Sequence, residues 1–176
     1  MKTPAVALAA VLVALPALAA AQNPVSDALR ATEQRQARNL VAAADLFPAD
    51  KYVYKPTEAQ MSVGDIVVHL IEGNDQLCSG LGGTPAPRRA ALAAGAPKDQ
   101  LVARLRETFQ SCETALAGVT DAKMNDQVPF FGGRQTTRAT LLLATVADWA
   151  DHYSQLAIYL RLNNILPPTA RPRPGM

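Results

Sequence analysis

Histidine is scarce in this chain of 176 residues, which carries only His69 and His152, and cysteine is equally scarce, with only Cys78 and Cys112. Two cysteines are too few for a disulfide framework, so any fold must rest on a hydrophobic core. Charge of one sign is lacking as well. Seventeen basic and fifteen acidic residues leave a formal net charge of +2, scattered along the chain, which removes the electrostatic case for nucleic acid or an anionic membrane surface. No apolar run is long enough for a membrane anchor. There is no Gly-x-Ser-x-Gly turn and no free cysteine beside a histidine, so no protein nucleophile stands out.

What is present begins with a leader. Met1, Lys2 and Thr3 form a short basic start, residues 5–15 are unbroken apolar, and Ala17-Leu18-Ala19 and Ala19-Ala20-Ala21 both satisfy the small-x-small cleavage rule. Residues 1–21 therefore read as a secretory signal peptide, with no cysteine close behind it to carry a lipid. The mature chain is expected to start near Gln22 and to be periplasmic or secreted. It holds one domain, residues 22–168, followed by a proline-rich tail, 169–176, expected to be disordered. In an oxidising compartment Cys78 and Cys112 favour pairing over reactivity, with two buried free thiols as the alternative.

Four helices follow from periodicity and punctuation. Asn23 and Pro24 open the first, whose residues 33–38 read as solvated, and Pro48 stops it. Residues 47–60 read as an ordered loop in which Tyr52 and Tyr54 cover one end of the core. Ser62 and Asp65 form a variant capping box at the start of the second helix, whose apolar stripe is Val63, Ile66, Val67, Leu70, Ile71 and Leu77. Residues 79–97 read as loop. Leu101, Leu105, Phe109, Cys112 and Leu116 mark the third helix, with Cys112 on the buried face within reach of Cys78, and Gly118 ends it. Residues 119–135 read as a second long connection, in which Phe130 and Phe131 precede Gly132 and Gly133. The fourth helix spans about 137–163.

The histidines sit on these helices beside carboxylates. His69 lies at the margin of the second helix's apolar stripe, with Asp65 at i−4, Glu72 at i+3 and Gly73 leaving room on the same side. On the fourth helix Leu141, Thr145, Asp148, His152, Gln155 and Tyr159 share one stripe. A carboxylate and an imidazole buried there need mutual pairing, trapped water or a cation. An Asp-x-x-x-His pair can clamp one ion, or can form an intrahelical salt bridge in a wet patch; spacing leaves both open.

The segment Asp148-Trp149-Ala150-Asp151-His152-Tyr153-Ser154-Gln155, with the exit Leu162-Asn163-Asn164-Ile165-Leu166-Pro167-Pro168, resembles the last helix of the DinB-like proteins. So does residues 52–56 leading through Ser62-Val63-Gly64-Asp65 into Val67-Val68-His69-Leu70-Ile71-Glu72-Gly73-Asn74. The resemblance implies an all-α four-helix bundle of DinB-like type with long connecting loops. It also implies a divalent metal, zinc or nickel with manganese or iron as alternatives, held between helices two and four by three side chains. His69 and His152 match two of these ligands. The third falls on Asp148, where the family usually has histidine, which marks either a two-histidine, one-carboxylate site or a site that has weakened.

The resemblance implies thiol-dependent transferases or isomerases and metal-dependent hydrolases as reaction classes. Export weakens the first, because small thiols are mainly cytosolic. For hydrolysis, Glu72, Asp65 and Asp151 are the candidate general bases, and Phe130, Phe131, Tyr52 and Tyr54 the candidates to line or cover a pocket for a small molecule of unknown identity. The alternatives are a non-catalytic metal- or ligand-binding bundle of the cell envelope and a scaffold that has lost its metal. Helix faces of a bundle also allow a homodimer, which no residue pattern here decides.

Overall fold

A computed structural model describes residues 22–172; the leader expected at 1–21 and the last four residues of the tail lie outside it. The four helices are α1 (Pro24–Leu46), α2 (Val63–Gly82), α3 (Lys98–Leu116) and α4 (Arg138–Leu162), with a short antiparallel hairpin, β1 (Gln127–Pro129) and β2 (Gln135–Thr137), before α4. α1 packs on α3 and α4, and α2 packs on the same two, so the bundle runs α1, α3, α2, α4 around its axis. Passing from α1 to α2, and from α3 to α4, means crossing the bundle, which takes a long connection each time. No described helix is long and apolar enough to cross a membrane.

The core is built from the stripes read in the sequence. Leu40, Phe47, Ile66, Leu70, Leu101, Leu105, Leu116, Leu141, Leu156 and Leu160 are fully buried around Trp149. A buried polar chain ties three helices together beneath α4. The Trp149 indole N–H donates to Asn74 Oδ1 at 2.8 Å, Asn74 Nδ2 donates to Thr108 Oγ1 at 3.1 Å, and the Thr108 hydroxyl donates to the Leu105 carbonyl at 2.9 Å. Each buried donor is thereby satisfied, as a core of this kind requires. Cys78 and Cys112 form a disulfide joining α2 to α3. Tyr52 does close one end of the core, its hydroxyl donating to the Ala44 carbonyl at 2.9 Å.

The helix starts have different causes. At α2 the capping box forms in full: Ser62 Oγ accepts from the Asp65 N–H and the Asp65 carboxylate accepts from the Ser62 N–H. At α1 the cap comes from far along the chain. The Asp121 carboxylate accepts from the backbone N–H groups of Val25 and Ser26 and from the Ser26 hydroxyl, while Asn23 Oδ1 accepts from the Asp121 N–H.

Four expectations need correction. α2 continues one turn past Cys78 to Gly82, into the stretch read as loop. A side chain at Gly80 would place its Cβ 2.8 Å from Leu141, and one at Gly82 2.8 Å from Ala115. The glycines that weaken helix propensity there are what let α2 approach α4 and α3, and Gly83, at φ +70°, then ends the helix in the left-handed region. The segment after α3 is not all irregular, since β1 pairs with β2 around Phe130–Gly133. Beyond Pro168, residues 168–170 form a tight turn, and Thr169 is tied to the Tyr153 hydroxyl at 2.8 Å.

The middle of α1 is the fourth of these. Ser26, Leu29, Glu33, Gln36 and Leu40 form its inward stripe, so Glu33 and Gln36 are buried although both are polar. Glu33 has no hydrogen-bond or ion-pair partner among the described residues and faces a cleft of about 610 Å³ between α1 and α3. Burial pushes its carboxyl up to about 7 from an ordinary 4.5, with Glu113 adding to the effect and Arg38 opposing it. The folded chain thus holds this proton more tightly than the unfolded one, so the side chain is tolerated below about 4.5 and destabilises as the pH rises through 7. The full shift corresponds to about 3 kcal/mol; contact with the open cleft reduces it to about 2 kcal/mol. Glu33→Gln is expected to raise the thermal midpoint by about 4–8 °C at pH 8 and hardly at all at pH 4.5. An unchanged midpoint at pH 8 would contradict the burial of an unpaired carboxylate.

Candidate metal centre

The site lies where α2 meets α4. The i, i+4 spacing on α4 turns Asp148 and His152 to the same side, and the packing of α2 on α4 brings His69 opposite them. Asp148 Oδ1 lies 3.2 Å from His69 Nε2 and 3.4 Å from His152 Nε2, and the imidazole centroids are 4.5 Å apart. One ligand atom from each of the three residues lies within 4.8 Å of the other two. His152 is buried, Asp148 half-buried and His69 exposed, so the cluster is anchored in the protein on α4 and open on the α2 side.

Ring orientation is set from behind. Gln155 Nε2 donates to Asp151 at 3.4 Å, which leaves Gln155 Oε1 as the acceptor facing His152 Nδ1 at 3.2 Å. With its proton on Nδ1, His152 turns the Nε2 lone pair toward a carboxylate oxygen. Two lone pairs at that separation require a proton or a cation between them. This is the arrangement in which a metal-binding histidine is oriented by an acceptor on its other nitrogen. Ligands at ~2.1 Å from a tetrahedral ion stand about 3.4 Å apart, which matches both nitrogen-to-Asp148 distances, so the residues fit a divalent cation.

Without a metal the cluster holds a proton instead. For Asp148, burial alone would raise the carboxyl, but hydrogen bonds from His152 and His69 and their charge hold it below its ordinary range. For His152, burial alone would lower the imidazole, but the Asp148 hydrogen bond and charge, with smaller contributions from Gln155 and Asp151, keep it above its ordinary range. Proton and metal therefore compete for the same nitrogen.

Beside the three residues is a cavity of about 260 Å³ lined by Glu72, Gly73, Gln76, Ala144, Phe130 and Phe131. A Cβ at Gly73 would stand 3.7 Å from Asp148 Oδ2, so glycine there leaves the carboxylate uncovered. Of the three carboxylates considered as bases, Glu72 lines this cavity and makes no hydrogen bond or ion pair among the described residues. Asp65 is engaged in the α2 cap, and Asp151 is exposed behind Gln155. Phe130 and Phe131 do line the cavity, whereas Tyr52 is in the core and Tyr54 stacks edge-on against Tyr159 at 5.9 Å. The orienting role of Gln155 was not read from the sequence, although its i+3 position from His152 was the available signal. Gln76 and Ala144 carried no signal at all.

Known structures share this architecture. A DinB-like protein from Bacillus subtilis superposes with a TM-score of 0.64 at 18% identity, covering 83% of this chain and 99% of its own. A DinB-like protein from Bacillus cereus gives 0.68 at 14%, covering 81% and 95%, and a conserved protein from Enterococcus faecalis gives 0.61 at 17%, covering 78% and 95%. At these identities the likeness speaks for the fold. No curated protein matches the sequence. The family model of the DinB superfamily matches residues 31–156, a span that runs from the first helix through the His69, Asp148 and His152 cluster, and the chain belongs to that superfamily.

Proposed function

We propose that this protein is an exported metal-dependent hydrolase, with one divalent ion, zinc or nickel first and manganese or iron(II) next, held by His69, Asp148 and His152. The observation that carries the reading is the convergence of two imidazole Nε2 atoms on one carboxylate oxygen at the edge of an open cavity. Three protein ligands leave coordination positions free, as in catalytic rather than structural sites. A bound cation supplies Lewis acidity toward a carbonyl or phosphoryl oxygen. Glu72, on the cavity wall with no competing partner, accepts a proton from water. Gln155 keeps the His152 ring in place, and Phe130 and Phe131 limit solvent on the outer side.

Hydrolysis is favoured over thiol transfer by the disulfide, which belongs to an oxidising compartment where small thiols are scarce. The open cavity favours an enzyme over a closed metal-storage module. The test loads residues 22–176 with each of the four metals and assays chromogenic esters, amides and phosphoesters. Turnover that is lost with a chelator and falls by roughly 10²–10⁴ in Glu72→Gln is expected. Metal-loaded protein that hydrolyses none of these classes would remove the hydrolase reading.

A further inference from the structure

A second cavity, of about 560 Å³, lies along the C-terminal half of α2, between it and the hairpin. Its walls include Ser79, Gly80, Thr84, Ala86, Pro129 and Leu141, and no charged side chain lines it. It shares Gln76, Leu77, Phe130 and Phe131 with the cavity beside the metal cluster. The two spaces thus adjoin at the aromatic pair, one walled in part by His69, Glu72 and Asp148, the other mostly by apolar groups. Each is of a size that ligand sites commonly have or contribute to.

The aromatic pair is itself a constructed wall. The Phe130 and Phe131 rings stack edge-on at 5.1 Å, the Arg134 guanidinium lies 5.1 Å from the centre of the Phe130 ring, and Arg134 Nε donates to the Phe131 carbonyl at 3.2 Å. Gly132 and Gly133, at φ +68° and +73°, form the turn that brings Arg134 back over the ring. Phe131 nevertheless remains 45% exposed. A large aromatic left in water at the junction of two cavities gains most when an apolar group lies against it.

We propose that the metal cavity and the α2–hairpin groove are one bipartite site for an amphiphilic small molecule, with a metal-coordinating oxygen head at His69, Asp148 and His152 and an uncharged acyl or alkyl tail along Leu77, Leu141 and Phe131. This rests on the metal reading above and adds the substrate class: medium-chain acyl compounds rather than compact polar ones. The head needs the cation, and the tail needs only the groove, so the two can fail separately.

The test uses hydroxamates on zinc-loaded protein, with zinc content measured on the same samples. Acetohydroxamic acid reports the head alone; octanohydroxamic acid adds the tail. At about fourfold per buried methylene, octanohydroxamic acid is expected to bind the parent at least ~100-fold more tightly, even if only part of the chain is covered. Thr84→Trp, at an exposed position that lines the groove and not the metal cavity, fills part of the groove and is expected to keep full zinc and the acetohydroxamic acid affinity while losing roughly tenfold of the chain-length gain. Equal affinity for the two hydroxamates at one zinc per chain overturns the groove and leaves the metal reading standing. A chain-length gain untouched by Thr84→Trp overturns it too. Protein that takes up no zinc overturns both, and the zinc assay tells that case from the others.

Discussion

Asp148→Ala is expected to weaken zinc binding by at least ~100-fold, because this carboxylate is the point on which both histidines converge. Removing it leaves two neutral imidazoles, one of them exposed on α2, with no anion to offset the charge of the ion. Asp148→His is expected to keep zinc, since it installs the three-histidine set implied by the resemblance to DinB-like proteins. Competition against a chromogenic chelator measures all three proteins. The parent's affinity should also depend on pH with a definite sign. His152 titrates above its ordinary range, so zinc must displace a proton from it, and affinity climbs by up to about tenfold per pH unit until that range is passed. Stability of the metal-free protein moves the other way: the contribution of the protonated His152 is fully present below the ordinary histidine value of 6.5 and is lost as the pH rises through the raised one. Unchanged zinc affinity in Asp148→Ala would mean that the ion binds somewhere else.

Loss of the disulfide should be the largest single effect on stability. Cys78 and Cys112 are 34 residues apart, and closing a loop of that length stabilises by about 4 kcal/mol through the unfolded chain. The double variant Cys78→Ala, Cys112→Ala is expected to melt about 8–16 °C lower than the parent, and the parent should fall similarly under strong reductant. The position of the bridge gives the effect a second readout. It clamps the half of α2 that bears the apolar groove onto α3, with Asn74 and the Trp149 hydrogen bond one turn away. Hydrogen exchange should therefore rise first in residues 78–82. A midpoint lowered by less than about 2 °C would show that packing alone holds α2 to α3.

How much of this was legible follows from which signals are local. The Ser62 and Asp65 capping box, the Leu101 to Leu116 spacing and the Asp148 to His152 spacing each lie within a few turns of one helix, and each forms as read. His69 stood out through its place on the stripe and through the family resemblance; its approach to Asp148 across 79 residues is a product of packing. The illegible features are those in which a distant partner overrides local character. Asp121 caps α1 from 95 residues away, so a helix with a weak start of its own begins at a definite place. Glu33 and Gln36 look solvated by composition, yet the i, i+3, i+7 stripe that Leu29 and Leu40 belong to carries them inward. Gly80 and Gly82 read as loop because propensity counts against them, whereas the neighbouring helices select them for their lack of volume. Neither the groove nor its aromatic wall has a sequence period, since both arise where a hairpin meets the side of a helix.

The central claim is that His69, Asp148 and His152 hold one divalent ion. Anomalous diffraction at the zinc edge, from crystals grown with zinc, tests it most directly. A single peak is expected among the three side chains, about 2.0–2.2 Å from both Nε2 atoms and an Asp148 oxygen. The absence of such a peak at saturating zinc, with Asp148 still bonded directly to the histidines, would contradict it and leave a proton-bridged cluster in a bundle that works without metal.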